Sequence, residues 1–95
     1  MFNFRKKREK KLKYKCPCCG YYTFTDKPVG EYDICPVCFW EDDPFQADNP
    51  DLEGMSNGVS LNQARENFKK FGACEECHVE SVRPPKEDEL TGLDE

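Results

Sequence analysis

Cys16-Pro17-Cys18-Cys19-Gly20 and Cys35-Pro36-Val37-Cys38 carry two Cys-x-x-Cys pairs, with 15 residues between Cys19 and Cys35. Two such pairs at this distance are the sequence form of a zinc ribbon, in which each pair sits on a tight turn at the tip of a hairpin. A zinc ion takes soft ligands at tetrahedral corners, and a short turn holds two thiolates on one side of the backbone. Pro17 and Pro36 pre-set the turns, and Gly20 can take the positive φ that points backbone N–H groups at sulfur. Cys16, Cys19, Cys35 and Cys38 are therefore the expected metal ligands. Phe39 stands where the first knuckle has Gly20, so the second turn must accept a bulky residue in a less comfortable conformation.

The competing reading is a pair of disulfides. Seven cysteines leave one over, and no N-terminal apolar run resembles a signal peptide. The expectation is a reducing, cytoplasmic setting with zinc rather than disulfides. Iron is the nearer rival, because the same four-thiolate tetrahedron suits it.

Outside the knuckles the chain is poor in core-forming material. Of 95 residues, 35% are charged and 37% apolar, so a single small domain is expected to need the metal as a staple. No stretch reaches the 18 or so consecutive apolar residues of a membrane span, and no membrane partner is expected. Charge divides unevenly. Residues 1–15 carry eight basic side chains against Glu9, whereas the remaining residues are net acidic and bring the total to −5. A basic arm on an acidic body can hold nucleic acid through phosphates, or it can be a solvated tail. The acidic body favours the second.

The expected architecture is a small α+β fold: a zinc-ribbon or rubredoxin-like antiparallel β-sheet, a long acidic loop, then one packed helix. Residues 1–12 form a basic disordered tail, 13–86 the domain, and 87–95 an acidic disordered tail. Alternation in 12–15 and 30–34, and aromatic and β-branched residues in 21–25, predict strands leading into and out of the knuckles. Phe39 and Trp40 are expected to close over the sheet. Residues 41–58 are rich in turn formers and are read as a loop. Its acidic residues do not fall at the alternate positions of an EF-hand, so calcium is not favoured and the cluster reads as solvated surface.

Ser60 then starts the clearest helix, with Gln63 to complete a capping box. Leu61, Ala64, Phe68 and Phe71 define its apolar face, which is expected to bury Phe68 and Phe71 beside Trp40 or Tyr22. Lys69 and Lys70 suit the last turn, and Gly72 the stop. Cys18, Cys74, Cys77 and His78 are left over. They could form a second zinc site, or Cys74 and Cys77 a redox pair, but the favoured reading is reduced bystanders. A helix C-terminus, Glu75 and Glu76 all disfavour a thiolate at Cys74.

The run Cys16-Pro17-Cys18-Cys19-Gly20, with Cys35-Pro36-Val37-Cys38-Phe39-Trp40-Glu41-Asp42-Asp43, resembles the cysteine-rich CPCC family of small bacterial proteins. Ser60-Leu61-Asn62-Gln63-Ala64-Arg65-Glu66-Asn67-Phe68, Phe71-Gly72-Ala73 and Val82-Arg83-Pro84 are similar to that family's helical half. The resemblance implies a rubredoxin-like or zinc-ribbon metal site in an intracellular bacterial protein, and implies no activity. The Cys77-His78 pair departs from the family's usual pattern.

Four thiolates saturate an ion and leave no open position for catalysis. The expected function is thus a structural-zinc binding module whose partner is a basic protein or peptide, met by the acidic loop. An iron electron carrier or thiol oxidoreductase is the first alternative, and nucleic-acid binding through the basic arm the second.

Overall fold

The computed structural model describes residues 14–28 and 30–91. The basic arm at 1–12 and residues 92–95 lie outside the described residues. Among these residues, in chain order, are strands β1 (Tyr14–Lys15) and β2 (Tyr22–Phe24), then helices α1 (Pro44–Asp48), α2 (Leu61–Phe71) and α3 (Glu87–Thr91). A 3-10 turn, Glu76–Ser81, separates the last two helices. The fold is a small α+β unit, as expected.

β1 and β2 pair antiparallel with Tyr14 opposite Phe24 and Lys15 opposite Tyr22, and the register shifts between them. They flank the first knuckle. The segment expected as a third strand does not join this sheet. Instead it folds back on the residues after the second knuckle, through an isolated bridge between Ile34 and Glu41. Tyr32 N–H donates to Asp42 O at 3.0 Å, and Asp42 N–H to Asp33 O at 2.9 Å. Tyr32 takes φ 62°, which breaks the extended run a ladder strand would need. The result is two short hairpins, one per knuckle.

The stretch from 41 to 58 is ordered, and its two central carboxylates are buried, correcting the expectation of a solvated acidic loop. Asp43 caps α1, accepting from Phe45 N–H at 2.7 Å and Gln46 N–H at 3.2 Å, while its other oxygen accepts from Ser56 N–H at 3.0 Å. Pro44 follows as the first helical residue, where a missing N–H costs nothing. Burial pushes the Asp43 carboxyl up, but the hydrogen bonds from Ser56, Gln46 and Phe45 more than offset it and leave it below its ordinary value of 3.8. A depressed carboxyl stabilises the fold above the ordinary pKa and is lost only as pH falls through the lower one. Any acid lability seen above about pH 5 therefore belongs to other groups. Asp42 accepts from Gly30 N–H at 2.8 Å and Glu31 N–H at 3.1 Å. Gly30 is needed twice over: its φ is +93°, and an added Cβ would lie 2.6 Å from the Pro44 ring.

Gln46, completely buried, organises the rest of the stretch. Its Nε2 donates to the carbonyls of Leu52, Asn57 and Val59 at 3.0–3.1 Å, and its Oε1 accepts from both nitrogens of Asn57. Asn57 in turn pairs with the Glu41 backbone in both directions. Replacing Gln46 by Leu keeps the volume but strands buried carbonyls, and should cost about 2–4 kcal/mol in chemical denaturation.

Ser60 caps α2 by accepting from Gln63 N–H at 3.1 Å, and Gly72 at φ 85° ends it, with Lys69 and Lys70 in the last turn. Only half of the capping box forms, because the Gln63 side chain turns along the helix to Asn67. Leu61 and Ala64 are the buried residues of α2. Phe68 is half-buried, packs against the core cluster that contains Trp40, and meets the Tyr21 ring edge-on with centroids 6.2 Å apart. Phe71 stays half-exposed beside Cys77.

Residues 87–91 correct the expected acidic tail at that stretch. They form α3, which packs against β2. Glu89 is buried and takes Arg83 in a two-pronged ion pair, both contacts at 2.8 Å, and also accepts from Lys86 N–H. The Glu89 carboxylate raises the Arg83 guanidinium above its already high ordinary value. Arg83 N–H donates to Pro36 O at 3.2 Å, so this stretch is also fastened to the second knuckle.

Candidate metal centre

The two knuckles share one local design. Cys16 N–H donates to Tyr21 O at 2.8 Å and Gly20 N–H to Cys16 O at 2.9 Å; Cys35 N–H donates to Trp40 O at 2.9 Å and Phe39 N–H to Cys35 O at 2.8 Å. Gly20 and Phe39 occupy equivalent positions and both are left-handed, at φ 83° and 72°. The less comfortable conformation expected at Phe39 is present. The Phe39 ring lies tilted against His78, with centroids 4.4 Å apart.

These turns bring Cys16, Cys19, Cys35 and Cys38 together so that all four sulfur atoms lie within 4.8 Å of one another. The Cys16–Cys38 sulfur pair is at 3.6 Å and the Cys19–Cys35 pair at 3.8 Å, each spanning the two knuckles. A tetrahedral zinc with metal–sulfur bonds near 2.3 Å has sulfur–sulfur edges of about 3.8 Å. The donor set and its spacing therefore fit a four-coordinate ion. Cys16, Cys35 and Cys38 are buried and Cys19 is half-buried. Two further contacts reach the sulfurs: Cys18 N–H to Cys16 Sγ at 3.4 Å, and the Thr23 hydroxyl at 3.2 Å from Cys35 Sγ.

The electrostatics of four neighbouring thiols are uneven. Hydrogen bonds from Cys16, Cys19, Cys38 and Thr23 hold the Cys35 thiol far below its ordinary range. The Cys16 thiol is pushed up through its bonds to Cys19 and Cys35, and the Cys38 thiol through its bond to Cys16, with burial adding to both. One thiolate stabilised by its neighbours' S–H groups is the state these contacts favour. Metal entry must displace the remaining protons, so metal affinity falls as pH falls.

The surplus groups separate. Cys18 and Cys74 lie in the core, and burial pushes the Cys74 thiol up to about 12. Cys74 is held by its N–H to Cys38 O at 2.7 Å and by Asn67 Nδ2 donating to its carbonyl at 2.9 Å. Cys77 and His78 stand outside with Glu75, not with Cys18 and Cys74. A second site made of Cys18, Cys74, Cys77 and His78 is therefore not assembled. In a Cys74–Cys77 pair, Cys74 could not be the attacking thiol, because it is buried and its thiol is pushed up. Glu75 is the residue the sequence reading missed, since it entered only as a charge disfavouring Cys74.

All seven cysteines are free. Among the described residues no helix is long and apolar enough to cross a membrane. The family described as Cysteine-rich CPCC matches residues 14–89. No curated protein matches the chain.

Proposed function

We propose, from the premise that the chain belongs to the cysteine-rich CPCC family, that it is a binding module stapled by structural zinc in a zinc-ribbon arrangement. Cys16, Cys19, Cys35 and Cys38 are the ligands. The observation that carries this reading is the set of sulfur–sulfur distances, 3.6 and 3.8 Å across the knuckles, which fits a tetrahedron already complete with protein donors. An ion held so has no position left for water or substrate, and its role is to fasten the two hairpins. Free thiols suit a reducing compartment such as the cytoplasm.

The surface offered to a partner is narrower than the whole 41–58 stretch, because Asp42, Asp43 and Gln46 are structural. Asp48, Asp51 and Glu53 remain exposed, beside the exposed side chains of Phe45 and Met55. Acidic groups around accessible apolar ones suit a basic protein or peptide. Metal analysis with native mass spectrometry should find one tightly held zinc per chain in protein made without added metal. Reversing Asp48 and Glu53 to lysine with Phe45→Ser should leave that zinc in place and weaken binding of basic peptides. Peptide binding unchanged by the triple variant removes this surface from the reading.

A rubredoxin-like iron carrier is the second reading. It is favoured by the Thr23 hydroxyl and the Cys18 N–H at the sulfurs, since hydrogen bonds to sulfur tune iron–thiolate potentials. It predicts coloured protein with a reversible redox wave.

A further inference from the structure

We propose that Glu75, Cys77 and His78 form a second, open divalent-metal site, of mixed oxygen, sulfur and nitrogen donors, that takes zinc reversibly. One donor atom from each residue lies within 4.8 Å of the others. The two oxygens of Glu75 divide between the neighbours. Oε1 is 3.8 Å from Cys77 Sγ, and Oε2 is 4.0 Å from His78 Nε2. Tetrahedral zinc with these donors has edges of roughly 3.3–3.5 Å, shorter than both contacts, so the three side chains draw inward to hold an ion.

The donors are held in place by contacts that do not consume them. Glu75 begins the 3-10 turn, yet its side chain makes no capping hydrogen bond. Cys74, immediately before it, is clamped by Cys38 O on one side and Asn67 on the other. His78 N–H donates to Glu75 O at 3.0 Å, fixing the turn, and the imidazole rests on Phe39. Phe39 follows Cys38 directly, so the second knuckle positions the ring that positions His78. A site of this type differs in kind from the four-thiolate centre. Three protein donors leave one position for water, and the ion is reachable from solvent. Glu75 and Cys77 also border a surface cleft of about 540 Å³ with Val59, Asn67, Phe71 and Glu76. The acidic wall from Glu76 favours a cation over an anion there. Zinc is the ion of choice because imidazole, thiolate and carboxylate together match its borderline softness.

The test uses the full chain with its four-thiolate centre already filled by one equivalent of zinc. Excess zinc is then added and stoichiometry read by native mass spectrometry, with affinity by calorimetry. The expected result is a second, weaker zinc ion, bound about tenfold or more less tightly in Cys77→Ser and in His78→Ala. Glu80→Gln, on the same turn, should bind it like the unaltered protein. The first ion should remain in every variant, which checks folding and counts the two sites separately. No second ion in the unaltered protein, or a loss smaller than tenfold in either variant, overturns the proposal.

Discussion

Stripping the zinc-loaded protein with a strong chelator is expected to abolish its cooperative fold. Among the described residues, nearly half of the buried apolar side chains are cysteines, namely Cys16, Cys18, Cys35, Cys38 and Cys74, and of the others only Phe24 and Trp40 are large. Such a core removes little hydrocarbon from water. A structural zinc supplies on the order of 10–16 kcal/mol of apparent folding free energy in small peptides, more than the net stability of most domains. Circular dichroism and amide-proton dispersion should both collapse on chelation and return on adding zinc. Replacing Cys16 and Cys35 together by serine should have the same effect without a chelator. A stripped protein that keeps a sharp thermal transition would show that the packed aromatics and the Gln46 network suffice.

The second large effect is expected at Trp40. It is the largest fully buried side chain, 1% exposed, and its carbonyl receives the Cys35 N–H that shapes the second knuckle. Trp40→Ala should cost about 3–5 kcal/mol in denaturant titration. Trp40 packs in the core with Cys35 and Cys38, so a metal held by those sulfurs should be lost from this variant to a competing chelator sooner than from the unaltered protein. An alanine variant that is destabilised yet holds zinc as firmly would separate core packing from ligand positioning.

The meeting of the two cysteine knuckles is legible because spacing, proline and the turn requirement all act within five residues. Cysteine spacing fixed which sulfurs could meet, and even the awkward backbone at Phe39 could be read from its alignment with Gly20. α2 was legible for the same reason, since Ser60, Gly72 and the terminal lysines are local signals. The 41–58 stretch was read wrongly because its order comes from one buried amide, Gln46, reaching carbonyls as far away as Val59. Composition alone cannot display that. Yet Asp43-Pro44 is a sound helix start, with a capping carboxylate followed by proline at the first helical position, and could have signalled α1. Glu89 failed for a different reason: a glutamate in an acidic run reads as solvent-facing until Arg83 is seen to neutralise it. Periodicity puts Phe71 on the apolar face of α2, yet as the last residue of the helix it stays half-exposed and lines a surface cleft.

Helix α3 settles against β2, and Arg83 fastens to the Pro36 carbonyl, so residues 83–91 complete surfaces laid down earlier in translation. A nascent polypeptide emerging from the ribosome can shape each cysteine turn early, but it cannot seal this domain until α3 has also emerged. Premature termination before residue 83 would leave both the sheet's flank and the second turn uncovered, making such fragments natural targets for quality-control proteases.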